Sequence, residues 1–373
     1  MRHPGNHLTG TLLAAFLLLP GPVLAQQLLP GPVPPQDGRQ ERSVSPTTDE
    51  AGSGLLTALA GRLVWAQAEP AQNQVPPLER RRRRPSMVGY INDAGVQTQV
   101  RLRFDAGTGI DAPDRAEFFY AKCGCYRFLP ADHPAFDPDA PGPGPGITTS
   151  LNFQQLYAQA ELAVHDRVSV YGELPIRWIR PQGFVPDTGS FGNQSGLSDL
   201  RAGVKLALIA EDARFLTLQL QGNLPSGDGL KGLGVEHFSF EPALLYSQGF
   251  NDRVNLEGQF GVVLPTGGSD GIATTTDRFS GNVLYYGIGP SVEVYRGTAV
   301  RFAPVVELIG WRVLGGFQTS TLSEADGVNI VNLKVGGRFE LRNGNSIYVG
   351  YGHGLTDSVW YDDLFRMEYR FGF

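Results

Sequence analysis

The sequence lacks an apolar run long enough to cross a membrane as a helix. Its longest candidate, residues 11–19, is shorter than the roughly 20 residues that a spanning helix requires. This run follows Arg2 and precedes the small residue Ala25, which is the pattern of a secretory signal, so we predict a signal peptide over residues 1–25. Export is therefore expected, and insertion into a membrane would have to use strands.

Residues that bind metals or cofactors are also scarce. The sequence contains no His/Cys cluster, no phosphate-binding glycine loop with its lysine and no cofactor fingerprint, so we predict neither a metal nor a cofactor. Its two cysteines, Cys123 and Cys125, do not make a zinc site by themselves. An oxidising compartment favours a local disulfide between them, with a metal site as the alternative.

Charged residues make up only 18% of the chain, and the net charge is −6. This balance argues against nucleic acid as a partner. Residues 26–85 are rich in Pro, Gln and Arg, and we predict a disordered periplasmic tail with a short helical stripe over residues 55–65. The arginine run 80–84 is interpreted as a solvated linker, with anchoring to lipid phosphates at the periplasmic face as the alternative.

What the sequence does have is a repeated two-residue alternation of apolar and polar side chains. Leu216, Leu218 and Leu220, for example, are separated by Thr217 and Gln219. Because a strand directs successive side chains to opposite faces, each such segment is a strand with one apolar face. We predict about 12 strands, near residues 96–105, 155–164, 168–177, 198–208, 216–224, 238–247, 254–264, 283–295, 299–312, 330–341, 346–354 and 364–373.

The links between these strands alternate strictly between short and long. Arg296-Gly297 and Asn343-Gly344 suit tight hairpins, whereas the long links are rich in Gly, Asp, Pro and Ser. Short periplasmic turns and long extracellular loops are typical of bacterial outer-membrane barrels. The fold predicted for residues 86–373 is therefore all-β, a transmembrane antiparallel up-and-down β-barrel.

The last strand resembles the closing strand of Gram-negative outer-membrane barrels. Phe365 and Met367 share one face with the aromatic residues that follow, and the chain ends on Phe373. The resemblance implies a location in the outer membrane, contact with its lipid and lipopolysaccharide, and recognition of Phe373 by the barrel-assembly machinery.

A narrower resemblance rests on residues 195–205 and on two Leu-Pro-[Ser/Thr]-Gly segments at Leu224 and Leu264. These motifs resemble outer-membrane proteins described as transporters of the "MetA-pathway of phenol degradation" type, over roughly residues 150–373. The resemblance implies a channel or transporter that admits small solutes, including small aromatic compounds.

Inward-facing charges are then the expected functional surface. We predict a basic wall on the first and last strands and an acidic wall across the bore, which together would orient dipolar or zwitterionic solutes. The alternative is that these ions pair and close the bore. The basic wall comprises Arg101, Arg103, Arg366 and Arg370, and the acidic wall comprises Glu241, Glu257 and Glu293.

Two other functional classes remain open. A structural or adhesive barrel would act through its extracellular loops, of which the one over residues 106–149 is the longest. A lipase or deacylase would need a nucleophile and a base near the outer leaflet. His353 and Ser358 lie close in sequence, but no orienting acid stands at a motif-like spacing, so we predict that the protein is not an enzyme.

Overall fold

The computed structural model describes residues 86–113, 123–266, 278–319, 321 and 323–372. All of them belong to one compact unit, Val75–Phe373. The predicted signal peptide, the tail over residues 26–85 and Phe373 lie outside the described residues. Within these ranges, no helix is long and apolar enough to cross a membrane.

The described residues form a closed antiparallel barrel of 12 strands, which confirms the predicted fold. The sheet closes because β1 pairs with both β2 and the last strand, β12. The strands are β1 Gln99–Ile110, β2 Ile147–His165, β3 Val168–Val185, β4 Leu200–Ala210, β5 Arg214–Leu224, β6 Phe238–Gly249, β7 Val254–Thr266, β8 Val283–Val292, β9 Val300–Val313, β10 Asn329–Leu341, β11 Ser346–Gly354 and β12 Asp363–Gly372.

Side chains alternate across the barrel wall as the sequence predicted. On β5, Gln219 is 3% exposed, whereas its neighbour Leu220 is 38% exposed. On β12, Arg366 is buried and Phe365 is exposed. Apolar side chains therefore cover the outside of the wall, where a membrane barrel contacts lipid, and polar side chains line the lumen.

The two ends of the barrel differ in the length of their connections. The β2–β3 connection is only two residues long, and β5 follows β4 after a similarly short turn. The start of β1 and the end of β12 lie at this same end, since Gln99 pairs with Gly372. Short connections identify this end as periplasmic, and the long loops mark the outer end.

Several strand boundaries differ from the prediction; β2 begins at Ile147 instead of near residue 155, and β3 ends at Val185 instead of near residue 177. The first strand begins at Gln99 and not at Val96, because residues 86–98 enter the lumen instead of joining the sheet. Pro175 lies inside β3, although proline cannot donate to a strand ladder. The β3–β4 ladder stops at Glu173, and a short strand, Gln194–Leu197, pairs with β3 from Ile176 onward. Pro175 thus sits where β3 changes neighbour, so its missing N–H is tolerated.

Candidate functional site in the barrel lumen

Residues 86–98, which we call the plug, enter the lumen from the periplasmic end. The plug starts beside Arg370, near the end of β12, where this side chain donates to the Ser86 carbonyl over 3.2 Å. It climbs to Tyr90, whose hydroxyl donates over 3.3 Å to the Leu364 carbonyl near the outer end of β12. Burial raises the pKa of Tyr90, which keeps this donor protonated. The segment then returns to the periplasmic end, where β1 begins.

Arginines on β10 and β12 bind the plug through its carbonyl oxygens. Arg338 and Arg370 both donate to the carbonyl of Val88, over 2.6 and 3.2 Å. Arg366 donates to the carbonyl of Gly89 over 2.8 Å. Hydrogen bonds from a charged donor are stronger than neutral ones, so this side of the lumen holds the plug firmly.

Acids and an amide on β7 and β9 bind the plug through its N–H groups. Glu307 accepts from the three consecutive N–H groups of residues 89–91, over 3.1, 2.9 and 2.8 Å. Glu257 and Gln259 accept two further N–H groups, each over 2.9 Å. The Tyr348 hydroxyl also donates to Glu307. The plug is therefore gripped from two sides, with carbonyls toward cations and N–H groups toward acceptors.

Apolar contacts complete the ascending half of the plug. Val88 and Ile91 are 0% and 2% exposed, and they pack with Val305, Ile309 and Tyr348 of the lumen wall. Removing such side chains from water favours the inserted state.

The descending half of the plug has fewer polar contacts. Asp93 pairs with Arg370 over 3.5 Å, and the Thr217 hydroxyl donates to the Ala94 carbonyl over 2.6 Å. Between this half and strands β1 to β5 lies a polar cavity of about 60 Å³, lined in part by Asn92, Asp93 and Lys205. A cavity of this size holds water molecules but not a solute of several heavy atoms.

The structure brings the four predicted basic-wall residues onto the adjoining strands β1 and β12, but acids lie among them. Arg101 is 3.3 Å from Glu173, and Arg103 is 3.7 Å from the same carboxylate. Arg366 lies 2.7 Å from Asp105.

Glu368 is the centre of the remaining basic-wall contacts. It lies 2.6 Å from Arg370 and 2.7 Å from Arg338. The predicted basic wall is therefore a mixed-charge surface. The arginines keep N–H groups for the plug while their charge is compensated locally.

The three predicted acidic-wall residues have separate environments. Glu241 accepts hydrogen bonds from Gln221 and Asn223, both on β5. Glu257 binds the plug, as described above.

Glu293 forms ion pairs with two arginines near the periplasmic end, Arg296 and Arg301. Of the predicted acidic wall, only Glu257 contacts the plug among the described residues. Sequence reasoning left Glu307 and Arg338 out of both walls, although their inward positions follow from the alternation.

Aromatic and aliphatic side chains fill the outer half of the lumen. They come both from strands and from the extracellular loops, and all of them are buried in one cluster. Its larger members are Phe153, Ile179, Leu233, Ile330, Trp360, Tyr361 and Leu364, with Trp311 packed against them. Side chains of the described loop residues therefore pack in the outer half of the lumen, and the plug occupies the periplasmic half.

The cysteines lie in the first extracellular loop. Cys123 and Cys125 are joined by a disulfide next to a short 3-10 helix, Gly124–Phe128. Buried Cys123 packs in a cluster with Tyr126 and Phe279, so the described part of this loop contacts another extracellular loop. No group of three or more His, Cys, Asp or Glu side chains that could hold a metal occurs among the described residues.

An orienting acid for His353 is present, contrary to the expectation from sequence spacing. The Nδ1 atom of His353 lies 2.8 Å from Oδ1 of Asp363 on the neighbouring strand. Both side chains are solvent-exposed, at 58% and 41%. Sequence reasoning did not find this acid because pairing between β11 and β12 brings Asp363 beside His353, and no short sequence motif joins the two residues.

Comparisons with known proteins give one family and several distant barrels. The family model described as "Putative MetA-pathway of phenol degradation" matches residues 139–360, which is more than half of the chain. The chain is similar to the COG4313 outer membrane channel from Pseudomonas putida F1, with 12% identity, coverage of 74% of this chain and 96% of that chain, and a TM-score of 0.45.

Two further solved structures are similar at lower scores. The NanC porin shares 9% identity, with 74% of this chain and 100% of that chain covered and a TM-score of 0.42. LpxR from Salmonella typhimurium shares 11% identity, with 73% and 100% covered and a TM-score of 0.36. No curated protein matches the chain.

Proposed function

Since the chain belongs to the family described as "Putative MetA-pathway of phenol degradation", we propose that it is an outer-membrane channel for the passive passage of small solutes, gated by the plug. The observation that carries the gate is the way the plug is attached. The β1 ladder begins at Gln99, which pairs with Glu161 and Gly372. No pairing of the barrel sheet among the described residues includes the plug, so it can leave the lumen without opening the wall.

The two halves of the lumen support small aromatic compounds as solutes. In the outer half the rings of Phe153, Trp360 and Tyr361 pack in one buried cluster, and a solute that separates them would meet several rings, which favour contact with another ring. The periplasmic half presents charged and amide side chains to any polar group that the solute carries. A solute with an aromatic ring and a polar substituent finds a matching surface in each half.

The proposed channel carries out no reaction, and His353 with Asp363 is assigned to the outer rim of the wall. A structural or adhesive barrel acting through its loops is the competing proposal. The alternation of the last strand further supports recognition of Phe373 by the barrel-assembly machinery and contact of the wall with lipid and lipopolysaccharide.

The test is conductance and uptake with and without the plug. Purified full-length protein is reconstituted in planar bilayers beside a variant lacking residues 86–95. A control variant lacks residues 66–75, a deletion of equal length in the preceding tail. We expect a several-fold larger conductance for the plug deletion and an unchanged one for the control.

Liposome swelling with small aromatic compounds and with sugars of similar size then identifies the solute class. Faster uptake of the aromatic compounds is the expected result. A folded plug deletion that carries no current and admits no solute refutes the channel and favours the adhesive barrel. Equal conductance of the plug deletion and the full-length protein refutes the gate.

A further inference from the structure

The lumen binds the plug mainly through polar contacts with its main chain, together with the packing of Val88, Tyr90 and Ile91. Hydrogen bonds and ion pairs from plug side chains to the wall are few, and among the described residues they include those of Tyr90 with Leu364, of Asp93 with Arg370 and of Thr98 with Ala163. The other polar contacts of its ascending half involve backbone atoms. They include the carbonyls of residues 86–89, bound by arginines, and the N–H groups of residues 87 and 89–92, bound by acids and an amide.

The arrangement of these contacts matches the polarity of a peptide. Arg338, Arg366 and Arg370 supply donors from β10 and β12. Glu257 and Glu307 supply acceptors from β7 and β9. Every peptide unit other than one at proline carries one donor and one acceptor, so the same two surfaces suit a chain of different sequence that keeps a glycine beside the Tyr348 ring, as at Gly89.

Glu307 is the residue that most needs such an occupant. Its side chain is 0% exposed, and no Lys or Arg of the described chain lies within salt-bridge distance of it. Its partners are the N–H groups of residues 89–91 and the Tyr348 hydroxyl. When the plug leaves, the carboxylate loses three of these donors, and water or the N–H groups of another chain must replace them.

The emptied space is large enough for a second peptide. The plug is a loop whose ascending half reaches Tyr90 and whose descending half returns to β1, and both halves occupy the same part of the lumen. Its removal frees the width of two peptide chains. A peptide as long as residues 86–92 that bends as the plug does at residues 89–91 would reach every main-chain contact of the ascending half.

We propose that the emptied lumen is a binding site for short peptides, held through their main chain and bent as residues 89–91 are, and that the plug is its resident ligand. This inference rests on the proposed channel and names a second solute class for the same lumen. Peptides that enter from outside would compete with the plug and pass or block the bore according to their length.

The experiment uses the full chain lacking residues 86–95 in planar bilayers, with synthetic peptides added to the bath. One peptide, Ser-Met-Val-Gly-Tyr-Ile-Asn, copies residues 86–92 and has blocked ends. A second is the same peptide methylated on the backbone nitrogens that correspond to residues 89–91, and a third keeps the glycine at the position of Gly89 in an otherwise unrelated uncharged sequence of equal length.

We expect the first and third peptides to block the current, and the methylated peptide to block at least about tenfold less strongly, because it loses the three donors to Glu307. Glu307→Gln in the deletion variant should weaken block by the first peptide. Glu293→Gln, which changes an acid paired with Arg296 and Arg301, should not.

Equal block by the methylated peptide overturns the inference, and so does a conducting channel that no peptide blocks. Both results leave the proposed channel function unaffected. A folded deletion variant without current refutes the channel, and quenching of tryptophan fluorescence by the first peptide then tests the peptide site separately. If the deletion fails to fold, Ile91→Asp in the full chain expels the plug while leaving both binding surfaces intact.

Discussion

Replacing Glu307 by Gln should release the plug, and the structure allows the free-energy change of this substitution to be worked out. The carboxylate accepts from Tyr90 and Ile91 on one oxygen, and from Gly89 and the Tyr348 hydroxyl on the other. Glutamine keeps the first oxygen but presents an NH2 group in place of the second. The N–H of Gly89 then faces another donor, whereas the Tyr348 hydroxyl can rotate and accept.

The loss of one hydrogen bond to a charged group costs about 2 kcal/mol. An opposing effect arises in the open state, because Lys334 lies opposite Glu307 in the β9–β10 ladder and would attract the freed carboxylate. Attraction between charges in a solvated bore is worth less than about 1 kcal/mol. The lost hydrogen bond therefore dominates, and the ratio of open to closed channels should rise between about 5-fold and 30-fold.

Single-channel recording measures this ratio directly as the open probability. Glu293→Gln is the matched control, since it makes the same change of acid to amide at a side chain paired with Arg296 and Arg301. We expect the control to behave like the unaltered protein. An open probability that is unchanged in Glu307→Gln, or raised equally in both variants, would show that Glu307 does not hold the plug.

Two further substitutions test the plug and the wall. A Cβ atom at Gly89 would overlap the Tyr348 ring, whereas one at Gly95 meets only Asp93, at 3.1 Å. Gly89→Ala should therefore loosen the plug and speed chymotrypsin cleavage after Tyr90, relative to the control Gly95→Ala. Equal cleavage rates of the two variants would contradict the packing described. Leu244→Arg puts a charge on an outward side chain that is 44% exposed, which should destabilise the barrel in lipid by about 2–4 kcal/mol. Urea unfolding in vesicles measures this loss of stability, and Asp212→Arg in an exposed turn is the control. Equal stability of the two variants would contradict a lipid-facing Leu244.

The strands of the barrel wall were predictable because the alternation of their side chains is visible within each short segment of sequence. Leu216, Leu218 and Leu220 face outward and Thr217 and Gln219 inward, as their alternation requires. Lipid on one side and water on the other impose this pattern on every strand. The strand count followed for the same reason, together with the alternating lengths of the links.

The plug was not predictable because its contacts are remote in sequence. Residues 86–95 show neither helical nor strand periodicity, and their partners are chosen by the closed barrel. Sequence reasoning also placed Arg366 and Arg370 in a wall facing the bore without the acids beside them. Glu368 lies between Arg370 and Arg338, a neighbourhood that depends on which strands adjoin and at what heights their residues lie.

The separation between the plug and its partners dictates an order of assembly. The ascending half is synthesised before every strand, yet its partners stand between 167 and 284 residues later in the chain. Contacts over such distances form late, since the intervening chain must be organised first. Arg366 and Arg370 belong to β12, so a nascent chain that lacks this strand cannot form all of the contacts that hold the plug. Insertion of the plug into the lumen therefore indicates that β1 and β12 have already paired.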